Sequence, residues 1–155
     1  MKKKPKERTL VLPLLWIMLL SLLEPVLIIA GFLPPIFSYS LGNILFMLAG
    51  FAVVAYVAYT RANEGLKASI LNGLALGFTS VSIICASGLV GSVFYDKPVI
   101  GVSTGSQQSR LLVLVMLVIQ STIIIALFSV LVTWLAKKFY LEETKPAKIR
   151  SRKRA

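Results

Sequence analysis

Read for alternating apolar and polar stretches, the chain falls into four long apolar segments at 10–33, 41–60, 68–95 and 111–136, separated by short polar connections at 34–40, 61–67 and 96–110. A hydrocarbon core about 30 Å thick is crossed by about 20 helical residues, so each segment is long enough to span a bilayer. A backbone in lipid must satisfy its own hydrogen bonds, which favours helices. None of the segments has the alternating ten-residue pattern of an outer-membrane barrel strand. The pattern therefore predicts an all-α membrane protein, an up-down-up-down bundle of four transmembrane helices. The flanks are a basic segment at 1–9 and a basic tail at 137–155. The third segment is the longest, and it is expected to tilt or to break near Gly88 and Gly91.

Composition agrees with the pattern. Of the 155 residues, 57% are hydrophobic and 15% charged, against about 45–50% and about 25% in soluble domains. A water-soluble globule is excluded. The basic leader MKKKPKER before the first apolar run is similar to a secretory signal, but the run is too long, so a retained signal-anchor helix is expected.

Charge adds orientation. The chain carries 17 Lys and Arg and a net charge of +11. Five basic residues precede the first span, Arg61 and Lys67 lie between spans two and three, and eight lie between positions 137 and 154. Only Lys97 and Arg110 fall on the opposite side. The positive-inside rule then puts both termini in the cytoplasm of a cell (plasma) membrane protein with several passes. Tyr39, Phe94 and Tyr95 at one set of span ends, and Tyr59, Trp134, Phe139 and Tyr140 at the other, fit aromatic belts.

Chemistry is sparse. With no histidine and a single cysteine, imidazole-activated nucleophiles, histidine-ligated metals and paired-cysteine redox centres are unavailable. No catalytic residue, metal site or cofactor is expected, and the chain reads as a non-enzyme. Glu24 is the only acidic or basic side chain inside a span. A charged residue at a helix centre costs about 2.5–3.5 kcal/mol, while the apolar residues of the first span contribute about −5 to −10 kcal/mol in sum. Insertion is secure, and intramembrane ionisable groups usually face a bundle interior or a cavity.

Pro25 follows Glu24 directly and removes the amide that would bond the Ser21 carbonyl, which predicts a kink beside the carboxyl. Counting residues by depth places Gln120, Cys85 and Ser87 near the plane of Glu24, with Gly50 leaving room. This predicts a polar cluster that either binds a proton or cation or ties helices together. Cys85 by itself reads as a small packing residue.

Gly73 and Gly77 form a GxxxG pair, and with Gly91 and several serines they line the third span with small residues. Such residues let helices approach closely in lipid, here within the bundle between spans two and three or against a second protein. The connection DKPVIGVSTGSQQSR reads as a turn-rich solvated link rather than a ligand-binding loop. The tail KPAKIRSRKRA is expected to be disordered. Its Lys148, Arg150, Arg152, Lys153 and Arg154 are expected to meet anionic lipid headgroups, and without an aromatic platform it argues against nucleic acid.

Two functions remain. The preferred one is a non-catalytic accessory or structural subunit of a larger membrane complex in respiration, transport or export, packed against other membrane subunits or its own copies in the lipid bilayer. The alternative is a small proton- or cation-coupled secondary transporter that uses Glu24.

Overall fold

The computed structural model describes residues 10–101 and 107–152, with side chains described for 10–101 and 111–139. Among the described residues all regular structure is helical. The elements in order are α1 (Val11–Ile29), a 3-10 turn at Ile36–Ser38, α2 (Leu41–Thr60), a 3-10 turn at Ala62–Glu64, α3 (Leu66–Phe94) and α4 (Gln107–Arg152). α1, α2, α3 and the Leu111–Phe139 part of α4 are long and apolar enough to span a membrane. Large apolar side chains such as Trp16, Leu19, Leu48, Phe78 and Leu127 are each more than half exposed. Such a surface fits a multi-pass membrane protein, because lipid rather than water is a compatible solvent for it.

Local chemistry sets the helix ends. α1 stops at Ile29, short of the end of its apolar run, because Gly31 takes a positive φ of 85°. The Gly31 amide bonds the Ile28 carbonyl at 3.0 Å and the Phe32 amide bonds the Leu27 carbonyl at 2.9 Å. This reverse-turn cap satisfies carbonyls that the helix can no longer pair. Pro13 sits in the first turn, where its missing amide removes no bond. α2 is capped by Ser40, whose hydroxyl accepts the Asn43 amide at 3.3 Å and replaces one lost intrahelical partner.

One expectation narrows and one changes. α3 is continuous over its 29 residues and does not break at Gly88 or Gly91; those glycines instead form a notch described below. The basic tail is helical rather than disordered as far as Arg152, since α4 runs on for 46 residues without a stop. Extending a formed helix fixes one residue per added hydrogen bond and avoids the unfavourable nucleation step. Lys148, Arg150 and Arg152 lie on this extension; Lys153 and Arg154 lie outside the described residues.

The closest helix pairing is between α3 and α4, and glycine explains it. A Cβ on Gly73 would lie 2.8 Å from Cα of Ala126 and 2.9 Å from Cβ of Ser129. One on Gly77 would lie 3.1 Å from Cβ of Ile125 and 3.3 Å from Cα of Thr122. The GxxxG pair therefore faces α4, not α2. Beside it, the Ser69 hydroxyl meets those of Ser129 at 3.0 Å and Thr133 at 2.7 Å. Ser129 also donates to the Ser69 carbonyl, and Thr133 donates to the Ala58 carbonyl on α2. Three helices are thus tied by polar contacts in an otherwise apolar seam. Ile17, Val54, Val57 and Leu76 form the buried core, with Ile125 and Phe128 packed against it. Phe51 and Phe128 meet edge to face at 4.9 Å, a preferred aromatic geometry.

Candidate functional site

Next to this core lies a cavity of about 470 Å³ lined by all four helices and by the turn after α1. Ile17, Val54 and Leu76 belong to both the core and the lining, so the core closes the cavity at one end. Ile36, Phe37 and Tyr39 line it at the other. Gly50 on α2 contributes to the space directly: a Cβ built there meets nothing within 4 Å.

The turn over the cavity is held in place from outside. Ile36 and Phe37 donate their amides to the carbonyls of Val99 and Ile100, at 2.9 and 3.4 Å. Val99 and Ile100 are themselves buried, because α3 has no side chains where they rest. A Cβ on Gly88 would come within 2.8 Å of Ile100, and one on Gly91 within 2.5 Å of Val99. The two glycines that the sequence marks as a possible break in α3 are the seat for this segment.

The polar groups of the lining are few. Glu24 is 6% exposed and is the only side chain of formal charge among the described lining residues. No described residue hydrogen-bonds its carboxyl. One turn earlier on the same helix face, the Ser21 hydroxyl pairs with that of Ser80 on α3 at 2.7 Å. The buried Pro25 leaves the Ser21 carbonyl without its usual amide partner.

Asn43 completes the set. Its Nδ2 points among the carbonyls of Pro34, Pro35 and Ile36 at 3.2, 2.9 and 3.3 Å, an arrangement that only the NH₂ end of the amide satisfies. Its Oδ1 is left buried with no hydrogen-bond partner among the described residues. The cavity wall is thus apolar except for the Glu24 carboxyl, which no described residue hydrogen-bonds, and a few hydroxyls; the Asn43 amide oxygen is enclosed by protein and does not open onto the cavity.

The residues that depth counting groups with Glu24 separate in space. Gln120 is exposed on the outer side of α4, and its neighbour Ser121 lines the cavity instead. Cys85 is buried against α4, with its thiol 3.9 Å from the Leu114 carbonyl, and is not part of the lining. Ser87 is half-buried and also lies outside it. Glu24 and Gly50 do share the cavity. The pairing of the Ser21 and Ser80 hydroxyls leaves no mark in the sequence, because hydroxyls are common in membrane helices. Asn43 escaped notice because it lies in the first turn of α2, where a polar residue reads as a cap; its being the one asparagine in that span was the available sign. Neither a known protein family, nor a curated protein, nor a solved structure matches this chain.

Proposed function

We propose that this chain is a small membrane transporter in which Glu24 alternates between a proton and a cationic substrate. The observation that carries this reading is the position of Glu24, buried at a cavity wall without a hydrogen-bond partner among the described residues. A carboxyl that ties helices together needs a donor or acceptor on a neighbouring helix, and none of the described residues supplies one. Buried polar groups are ordinarily paired, so an unpaired one beside an empty volume fits a binding role. The helices alternate up and down with both termini cytoplasmic, as the bias of basic residues supports. A fluorescent reporter fused after Ala155 is expected to fold and emit, and a dark, externally protease-accessible fusion refutes this orientation.

The test of function uses purified protein in liposomes that enclose a pH-sensitive dye. An inward gradient of a sodium, potassium or alkylammonium salt is expected to drive proton efflux and alkalinise the lumen with at least one of the three. Glu24→Gln is expected to reduce that signal to the level of empty liposomes while eluting like the parent protein in detergent. Equal signals from the two proteins would sink the proposal. An accessory subunit would instead co-purify with stoichiometric membrane partners in mild detergent.

A further inference from the structure

Resting on that reading, we infer that the cavity takes a protonated amine with an apolar body, its N–H groups directed at Glu24. Three observations carry the assignment. The first is charge: the lining holds one carboxyl and no lysine or arginine among the described residues, so an ionised Glu24 acquires a counter-charge only from a ligand.

The second is the direction of hydrogen bonding. No described residue hydrogen-bonds the Glu24 carboxyl, and Asn43 in the same lining offers the ligand nothing, because its Nδ2 is taken by the three carbonyls of the 34–36 turn and its Oδ1 is enclosed. A carboxylate is an acceptor alone. Such an acceptor selects a ligand that donates, and an ammonium group brings up to three N–H donors on a single centre. Counting about 1.5 Å per helical residue, Glu24 lies about five residues before the end of α1 and Asn43 about two after the start of α2, so both sit toward the same end of the cavity. The remaining length runs past Gly50, Phe46 and Phe51 down to the Ile17, Val54 and Leu76 core.

The third is the character and size of that remainder. Apolar and aromatic side chains make up most of the wall, and about 470 Å³ falls within the roughly 300–1,000 Å³ of small-molecule pockets. A bare inorganic cation of the hard type asks for about six oxygen ligands, and one carboxyl amid hydrocarbon does not replace its hydration. An organic ammonium brings its own apolar surface, which gains by leaving water.

The test measures binding of radiolabelled 1-naphthylmethylammonium to the purified full chain in lipid nanodiscs, with empty nanodiscs subtracted. Three analogues compete: the N,N,N-trimethyl derivative, 1-naphthylmethanol and 1-naphthylacetate. Saturable binding at one site per chain is expected. The trimethyl cation is expected to compete at least fivefold more weakly because it has no N–H, and the alcohol and the acid at least twentyfold more weakly. Glu24→Gln and Gly50→Leu are each expected to weaken binding at least tenfold. Gly50→Leu adds bulk only to open space, so it leaves folding intact and keeps the test valid should Glu24→Gln misfold. Ala75→Leu, on the exposed side of α3, is expected to bind as the parent does.

No saturable binding, equal competition by the alcohol, or indifference to both cavity variants overturns the inference. Equal competition by the trimethyl cation overturns the N–H part of it. If the amine does not bind while sodium or potassium still drives proton efflux that depends on Glu24, this inference fails and the transporter reading stands. If the amine binds but no gradient drives Glu24-dependent proton movement, the transporter reading fails and the site stands.

Discussion

Gly73→Leu is expected to destabilise the bundle by about 3 kcal/mol or more, the largest effect of any single substitution considered. The reason is that the obstructing atoms cannot move cheaply: a Cβ at position 73 would lie 2.8 Å from the Ala126 backbone and 2.9 Å from Cβ of Ser129. Overpacking a well-filled site typically costs about 1–3 kcal/mol. Here α3 must also withdraw from α4, which separates Ser69 from Ser129 and Thr133. Interhelical hydrogen bonds in membranes contribute about 0.6 kcal/mol each on average, so their loss adds to the steric term. Gly73→Ala is expected to cost about 1 kcal/mol, because it introduces the contact without the longer side chain. Titration of the detergent-solubilised protein with sodium dodecyl sulfate, followed by circular dichroism or tryptophan fluorescence, measures both. The exposed control Ala75→Leu is expected within about 0.5 kcal/mol of the parent. A Gly73→Leu protein with unchanged unfolding would show that α3 and α4 do not meet through this face.

The second large effect has the opposite sign. Glu24→Leu is expected to stabilise the bundle by about 1–3 kcal/mol while abolishing Glu24-dependent proton movement and amine binding. A buried polar group without a hydrogen bond carries a desolvation cost of about 1–3 kcal/mol by protein mutational data, and no described residue offsets it at Glu24. Leucine fills similar volume and adds apolar surface to a wall already formed by Leu20, Phe51 and Ile84. Replacing buried ionic groups with well-packed apolar ones is often neutral or stabilising. Gain of stability with loss of activity is the usual outcome where a binding site keeps an unfavourable group. The same denaturant titration reads the stability. A loss of more than about 1 kcal/mol would instead identify Glu24 as a group that holds helices together.

These two residues also separate what could be read along the chain from what could not. That Glu24 sits in a helix long and apolar enough to span a membrane follows from its flanks alone, as does the presence of a close-packing GxxxG pair in the third helix. Neither statement names a neighbour. Gly73 and Gly77 turn toward α4 because Ala126, Ser129, Thr122 and Ile125 present a complementary surface there, and that surface exists only once both helices are placed. Gln120 and Ser121 show the same limit within one helix. They are at nearly equal depth, yet one step along a helix of 3.6 residues per turn rotates the side chain by about 100°, so one is exposed and the other lines the cavity.

The amino-acid sequence by itself determined four apolar helices long enough to span a membrane, the bias of basic charge to one set of connections, and one acid among apolar residues. These are properties of local composition, which acts on each segment through transfer from water to lipid whatever the rest of the chain does. Only the tertiary structure decided the α3–α4 seam, the unbroken course of α3 with Val99 and Ile100 seated at Gly88 and Gly91, and the cavity that Glu24 lines. Each of these depends on which faces of separate helices meet. That is settled by the fit of side chains and by the pairing of buried donors and acceptors across helices, and neither is encoded in the depth or periodicity of any one segment.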